Sequence, residues 1–339
     1  MPPNKNQHYV PTFCLKLFSS DELNINGYII KSKKHFSGPI AHQCAKTYFY
    51  KSPELDKELS KLEGTMSEVI KRVIGQESLN LSSKEYSWLL RFLSLAESRT
   101  LKSKLKAERF SEEFVKKIVK LAASNRAQKE NLSDFNFKWL SAGLVQLKLG
   151  LHSGLLLSDL KPILLINNTQ KEFICSDNPV VFYNMALNHI KGLNFCGFLS
   201  PGLQVFAPLS PNHMLILYDS EFYEVDANGY EKTITNIWDI TALNKLQFYG
   251  AYDVIYYKGK DQADFINELH NELGDISRGP VIRSALENIG GREVLHTTED
   301  QFPYKLNLSF IKVRQSIKSE LPLIRNTILY QKFLDLTKS

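Results

Sequence analysis

Three features of this 339-residue sequence predict an α+β fold. The N-terminal segment is aromatic-rich, and its residues 7–18 are extended in character. A run of amphipathic helical patterns follows. Beyond Pro162 the pattern changes to short apolar runs parted by turn residues. The expected layout is an extended N-terminal segment, a layer of about four helices, a mostly antiparallel sheet and a helical C-terminal tail. Residues 1–260 then form a single α+β domain, helical over about 52–155 and sheet-rich over about 160–258, with 261–339 as a helical extension.

Residues 7–18 read as extended, because Pro11 biases Val10 away from helix and Tyr9, Val10, Phe13 and Phe18 favour strand-like packing. Asn24, Asn26 and Gly27 are turn residues ahead of a strand at 28–30, and Thr47-Tyr48-Phe49-Tyr50 is an aromatic anchor. Leu55, Leu59, Leu62, Met66, Val69 and Val73 then recur at steps of three and four after the start signal Ser52-Pro53. Ser82 or Ser83 caps a second helix through Trp88, Leu89, Phe92 and Leu95. A third is expected from Ser111, beside Glu112 and Glu113, and a fourth from Ser133-Asp134 through Phe137, Leu140, Leu144 and Leu147. Each carries one apolar stripe that must be buried on a neighbour.

Past Pro162, residues 163–166 and 172–175 flank Asn167-Asn168-Thr169-Gln170 as a β-hairpin. The chain then enters Ser176-Asp177-Asn178-Pro179, a turn of Asx character. Further strands are expected at 180–182, 204–206, 213–217 and 254–257, with a helix at 235–249. The tail offers a helix with Phe265, Leu269 and Leu273, a break at Gly290-Gly291, and a basic helix carrying Ile311, Ile317, Leu321 and Leu329.

Composition removes several classes. With 43% hydrophobic and 23% charged residues the chain is globular, neither disordered nor collagenous. No apolar run reaches the roughly 18 residues of a membrane span, and residues 1–7 lack the apolar core of a signal peptide. A cytoplasmic protein with no membrane partner is expected. Cys14, Cys44, Cys175 and Cys196 show no CxxC spacing, so buried free thiols in a reducing compartment are expected rather than a zinc ribbon. No phosphate-binding GxxxxGK[ST] loop, GxGxxG fingerprint, HExxH helix or GxSxG elbow is present. The net charge of +6 is mild, but residues 99–129 hold ten Lys or Arg against three Glu. That stretch is either a solvated helix face or a surface that tracks nucleic-acid phosphates, with salt-sensitive binding.

Polar residues in separated motifs are the candidates for chemistry. His8, in Gln7-His8-Tyr9-Val10-Pro11, is a base, acid or metal ligand near neutral pH, or a strand-edge histidine bonded to backbone. Asp177 and Asn178 present a carboxylate and an amide on a turn, for a metal or a substrate, or for the turn's own N–H groups. Glu63 sits at the margin of a buried helical stripe and invites Arg99 as partner. That pair either ties two helices together or supplies a second acid and an anion clamp.

In order along the chain come Gln7-His8-Tyr9-Val10-Pro11 with Phe13, Leu15 and Phe18, then Tyr48-Phe49-Tyr50, Leu62-Glu63-Gly64, Arg99-Thr100, Ser176-Asp177-Asn178-Pro179-Val180, Pro208-Leu209-Ser210-Pro211 and Leu243-Asn244. This order of motifs resembles the bacterial family catalogued as domain of unknown function 4238, over roughly residues 5–258. The family's pattern often places proline after Arg-Thr, where this chain has Leu101. The resemblance brings no activity with it. From the residues themselves, the expected function is phosphodiester hydrolysis by a nuclease of a bacterial defence or toxin type. In that reading His8 is general base or acid, Asp177 orients it or holds a divalent ion such as magnesium or manganese, and Glu63 is a second acid. Arg99 offsets phosphate charge, while Gln7, Tyr9 and Asn178 contact the substrate. Nucleic acid is the expected partner of the 99–129 face, and no oligomeric state follows. The alternative is a non-enzymatic ligand-sensing or interaction module in which the same residues form a structural polar network.

Overall fold

Pro11 turns the chain from strand to helix. In the computed structural model, β1 (Asn6–His8) is followed by helix α1 (Thr12–Leu17). The structure describes residues 6–50, 53–122, 142–190, 195–274, 278, 282–289, 292–299, 304–315, 324–325, 328–329, 331–332 and 335. The expected extended segment therefore stops short of Thr12. Pro11 stands at the helix entrance with φ −55°, where its missing N–H costs nothing, and Cys14, Leu15 and Phe18 are then buried at helical spacing.

β2 (Asn24–Ile29) and β3 (Lys34–Pro39) form an antiparallel pair, and β4 (Ala45–Thr47) pairs with β1. The turn expected at Asn24, Asn26 and Gly27 is strand instead. Gly27 lies under the Phe36 ring, where a Cβ would come 2.3 Å from Cζ, so the glycine serves cross-strand approach.

The helical layer comprises α2 (Pro53–Gln76), α3 (Ser83–Ser98), α4 (Leu101–Ala122) and α5 (Ala142–Ser153). Ser82 caps α3 in a reciprocal capping box with Glu85. No helix starts at Ser111. Its hydroxyl donates to the Ala107 carbonyl at 2.8 Å, which accommodates it inside α4. The helix start expected at Ser133-Asp134, with Phe137 and Leu140, lies outside the described residues, while Leu144 and Leu147 belong to α5.

Then come β5 (Lys161–Asn167), β6 (Cys175–Ser176), β7 (Val181–Tyr183), β8 (Gln204–Ser210), β9 (His213–Tyr218), β10 (Tyr223–Val225), β11 (Glu231–Ile234), α6 (Ile237–Gly250) and β12 (Val254–Tyr257). They make a five-stranded sheet in the order β11-β5-β9-β8-β7 and a four-stranded one in the order β3-β2-β12-β6. Only β11 against β5 is parallel within these two sheets. Residues 163–166 and 172–175 do not form the expected hairpin. The Asn167 side chain builds the turn, donating to Lys171 O at 2.7 Å and accepting from Thr169 N at 3.0 Å. The chain leaves that turn for the other sheet, where β6 pairs with β12.

Beyond residue 261 the expected helix is present as α7 (Gln262–Leu273), with Phe265 and Leu269 buried. The remainder departs from a helical tail. Strands β13 (Ile282–Ile289) and β14 (Arg292–Glu299) pair antiparallel with Ile289 opposite Arg292, and the expected break at Gly290-Gly291 lies outside the described residues. Ile311 belongs to strand β15 (Ile311–Val313). Ile317 and Leu321 lie outside the described residues, and Leu329 is helical. The α+β class stands. Among the described residues no helix is long and apolar enough to cross a membrane.

Strand alternation divides the core. Leu164, Val205, Ala207, Leu215 and Leu217 face the helical layer, while Ile163, Leu165, Phe206, Met214 and Ile216 face α6 and residues 306–311. The five-stranded sheet is thus covered on both faces. The four-stranded sheet packs Tyr28, Ile255 and Tyr257 against Phe265, Ile266 and Leu269 of α7.

Two glycines test this packing. A Cβ at Gly154 would meet the Arg91 backbone N at 2.9 Å, whereas Gly64 in α2 has nothing within 4 Å. In urea melts Gly64→Ala is expected to add about 0.5–1 kcal/mol through helix propensity, and Gly154→Ala to remove about 1–3 kcal/mol by overpacking.

Candidate functional site

Arg99 is the hub on which the N-terminal motifs meet. It is the C-cap residue of α3, only 3% exposed. Its Nη1 donates to Glu63 Oε1 on α2, its Nε to the Tyr50 hydroxyl at 3.0 Å, and its Nη2 to the His8 carbonyl at 2.6 Å. The Tyr50 hydroxyl in turn donates to the His8 carbonyl at 2.9 Å, and Tyr50 N donates to Gln7 Oε1 at 2.7 Å. One guanidinium therefore joins β1, the aromatic anchor, α2 and α3. Burial opposes its charge, and Tyr50 and Glu63 more than offset that, so its proton is held more tightly than usual. The Glu63–Arg99 pairing expected from the sequence is formed.

The second cluster gathers around Ser176-Asp177-Asn178. Both Asp177 oxygens accept backbone N–H groups, from Tyr252 and from Asp253, each at 2.8 Å. Asn178 Oδ1 accepts from Thr100 Oγ1 at 2.9 Å, and its Nδ2 donates to Gly250 O at 3.1 Å. Gln247 Nε2 reaches Ser176 Oγ at 2.7 Å. Gly250 has no room for a side chain, since a Cβ would lie 2.4 Å from Val181 Cγ2. The motif fastens the end of α6 and the following turn to the sheet. Burial pushes the Asp177 carboxyl up to about 6 against the pull of its N–H donors.

The expected pairing of His8 with Asp177 is not made. No bond joins them, and the charges that act on the His8 ring are those of Glu63, Arg99 and Asp56. Asp177 instead acts on Tyr9, Cys44 and Tyr256. Tyr9 is buried, its N–H bonded to Cys44 O at 2.8 Å, and the Cys44 thiol lies 3.3 Å from the Tyr256 hydroxyl. Nor does Asp177 sit in a metal cage. Among the described residues no group of three or more His, Cys, Asp or Glu is arranged to hold a metal ion.

His8 itself is half-buried. Its ring bonds the Ala41 carbonyl, while Nε2 is buried and without a hydrogen-bond partner among the described residues. The ring N–H to Ala41 is then on Nδ1, leaving a lone pair on Nε2. Burial lowers the His8 pKa, with Glu63 the strongest opposing influence, so the imidazole is neutral at pH 7. Asp56 is the residue that motif reading missed. Burial raises its carboxyl, and the charge of Glu63 raises it further. Its signal was the spacing to Glu63, seven residues or two helical turns along one face of α2. Tyr50 was also missed as a polar partner, hidden within an aromatic run.

The 99–129 face is only partly turned to solvent. Lys102 Nζ donates to Gly250 O at 3.0 Å, and Lys104 Nζ to Phe49 O at 3.3 Å. Residues 123–129 lie outside the described part.

A family model described as "Protein of unknown function (DUF4238)" matches residues 6–261. The chain belongs to this family. Every residue of the Arg99 and Asp177 clusters lies inside the DUF4238 span, which ends just before α7 begins at Gln262. No curated protein and no solved structure matches the chain.

Removing the Arg99 side chain strands a carboxylate, a hydroxyl and a carbonyl together. Arg99→Ala is expected to cost about 3–5 kcal/mol in chemical unfolding, and Arg99→Lys most of that, since one ammonium cannot span the three partners. Asp177 gives a pH signature. A carboxyl whose folded pKa of about 6 exceeds the ordinary 3.8 stabilises the fold below about pH 4 and loses that contribution as pH rises to 6. The stability advantage of wild type over Asp177→Asn should therefore grow between pH 7 and pH 4, by up to about 3 kcal/mol. Urea melts across that range check it, and an advantage that instead grows toward pH 7 would show the N–H donors dominating.

Proposed function

We propose that this chain is a ligand-sensing or interaction module in which the motif residues form a structural polar network and His8 is the group that meets the ligand. One observation carries the reading. Arg99 and Asp177, which a phosphodiester hydrolase would use as anion clamp and metal ligand, have their polar groups bonded by the protein's own carbonyls, hydroxyl, carboxylate and N–H groups. His8 Nε2 differs, being an acceptor with no such partner. The charges of Glu63 and Asp56 act on this ring, with Arg99 opposing them but already paired to Glu63, so the lone pair favours a hydrogen-bond donor or cation over a bare phosphate.

The test separates fold from ligand. The His8 carbonyl, which holds the hub, survives in His8→Ala, so that variant should melt within about 1 kcal/mol of wild type. Thermal shifts with a panel of amines, nucleosides, magnesium and manganese should then move wild type and leave His8→Ala unmoved. A His8→Ala protein several kcal/mol less stable, with no ligand shifting wild type, would reduce His8 to packing.

A second reading, phosphodiester hydrolysis of a bacterial defence or toxin type, is favoured by the same neutral imidazole. A buried acceptor at pH 7 is the form a general base needs. In this reading the outward cations of α4 guide nucleic acid. Incubation with DNA and RNA, with and without magnesium or manganese, decides it. Cleavage by wild type, but not by a folded His8→Ala, would replace the sensing reading.

A further inference from the structure

The segment from Tyr304 to Arg314 lies more than forty residues past the DUF4238 span, yet it is packed as core. Leu306, Leu308 and Phe310 are buried while Lys305, Asn307 and Ser309 between them are exposed. That period of two marks a run read by pockets on one side, which passes through a turn at Ser309-Phe310 into β15. The pockets belong to the body. Tyr183, Tyr223, Ile240 and Leu243 share one apolar cluster with Leu306, Leu308, Phe310 and Ile311.

The backbone is read as well. The Tyr183 hydroxyl accepts from Leu306 N at 3.1 Å and donates to Tyr304 O at 2.6 Å. Asp239, in the first turn of α6, accepts from Ser309 N at 2.8 Å and from the Ser309 hydroxyl at 2.6 Å. Asp226 N donates to Phe310 O at 2.9 Å, and β15 adds to β10 in antiparallel register, Val225 opposite Ile311. At the far end Arg314 meets Glu224 at 2.8 Å, and the charge of Lys312 acts on Asp226.

Main-chain bonds for affinity, alternate pockets for specificity and an acidic end for a basic terminus together make the strand-addition mode of peptide recognition. We propose that the DUF4238 body carries a groove for an extended peptide of the pattern apolar-x-apolar-x-apolar-apolar followed by a basic residue. The chain's own residues 304–314 are its built-in occupant. The partner it fits is a protein presenting such a segment, which must displace the tethered strand. Tethering holds the strand at an effective concentration on the order of millimolar, so the intact chain resists competition.

The experiment uses the full-length chain and a fluorescent synthetic peptide of residues 303–315. Leu308→Asp with Phe310→Asp loosens the tail and leaves the groove intact. This variant should bind the peptide at least ~10-fold more tightly than wild type and melt at a higher temperature when peptide is added. A peptide carrying Arg314→Glu should bind less well, and adding Asp239→Asn to the loosened chain should weaken binding of the unaltered peptide. Ser309→Pro, which removes one N–H donor, is the milder variant should the first fail to fold. If neither loosened chain binds the peptide, or both bind a scrambled peptide equally, the groove is ordinary core and the proposal fails.

Discussion

A buried guanidinium cannot be left half-satisfied, and that constraint organises the N-terminal half of this protein. Arg99 carries N–H donors in a rigid fork at a site closed to water, where an unmet donor or an unpaired charge costs kilocalories. Its three acceptors come from widely separated stretches: Glu63 on α2, Tyr50 after β4, and the carbonyl of His8 on β1. None of the three elements can shift without exposing a polar group on another. Tyr50 is fixed twice over, since its hydroxyl also bonds His8 and its N–H bonds Gln7. The geometry, more than the strength of any one bond, sets where β1 lies against the helices.

Thr100 extends the same constraint toward the sheets. Its hydroxyl bonds Asn178, which holds the last carbonyl of α6, and Lys102 donates to that carbonyl as well. A helix C-terminus has unsatisfied carbonyls and a partial negative charge, so an amide donor and an ammonium are apt partners. Asp177 performs the reverse task one residue earlier, supplying acceptors to the N–H groups of the turn after α6. The Arg99-Thr100 and Ser176-Asp177-Asn178 motifs are therefore two ends of one polar seam, which joins the helical layer to both sheets.

Much of the layout was legible because periodicity reports burial. The stripe from Leu55 to Val73 and the strands near 204–206 and 213–217 lie where apolar spacing places them, and of the two expected caps, Ser82 or Ser83, it is Ser82 that caps α3. The misses have local causes. Pro11 forbids helix to Val10 and at the same time permits it from Thr12. Gly27 reads as a turn residue in sequence because the ring of Phe36, its reason for being glycine, comes from a neighbouring strand. Residues 163–166 and 172–175 had the look of a hairpin, but which sheet a short apolar strand joins is a tertiary choice that its own residues do not encode. The candidate residues were legible as polar groups in motifs. Their partners were not, apart from Glu63 with Arg99. Asp177 and His8 invited pairing as acid and base, yet carbonyls and N–H groups, which every residue carries and no motif displays, claimed both Asp177 and the His8 backbone.

The seam also explains why these motifs stand where they do. Arg99 closes α3, Gly250 closes α6, Asp177 stands at the end of β6, and His8 ends β1. Element ends are where backbone groups lose their regular partners. When such ends are buried together, polar side chains must supply what water would have supplied. A cluster of polar motifs in a chain of this size is thus the expected signature of several element ends meeting under cover, and it needs no reaction to account for it. By that argument the informative group is the one the seam leaves out. The His8 ring bonds the Ala41 carbonyl but adds nothing to the hub, which uses only the His8 carbonyl, and its buried Nε2, without a partner among the described residues, costs stability instead of adding it. In our proposal that unsatisfied acceptor is where the ligand bonds, which is the one way the cost of burying it is recovered.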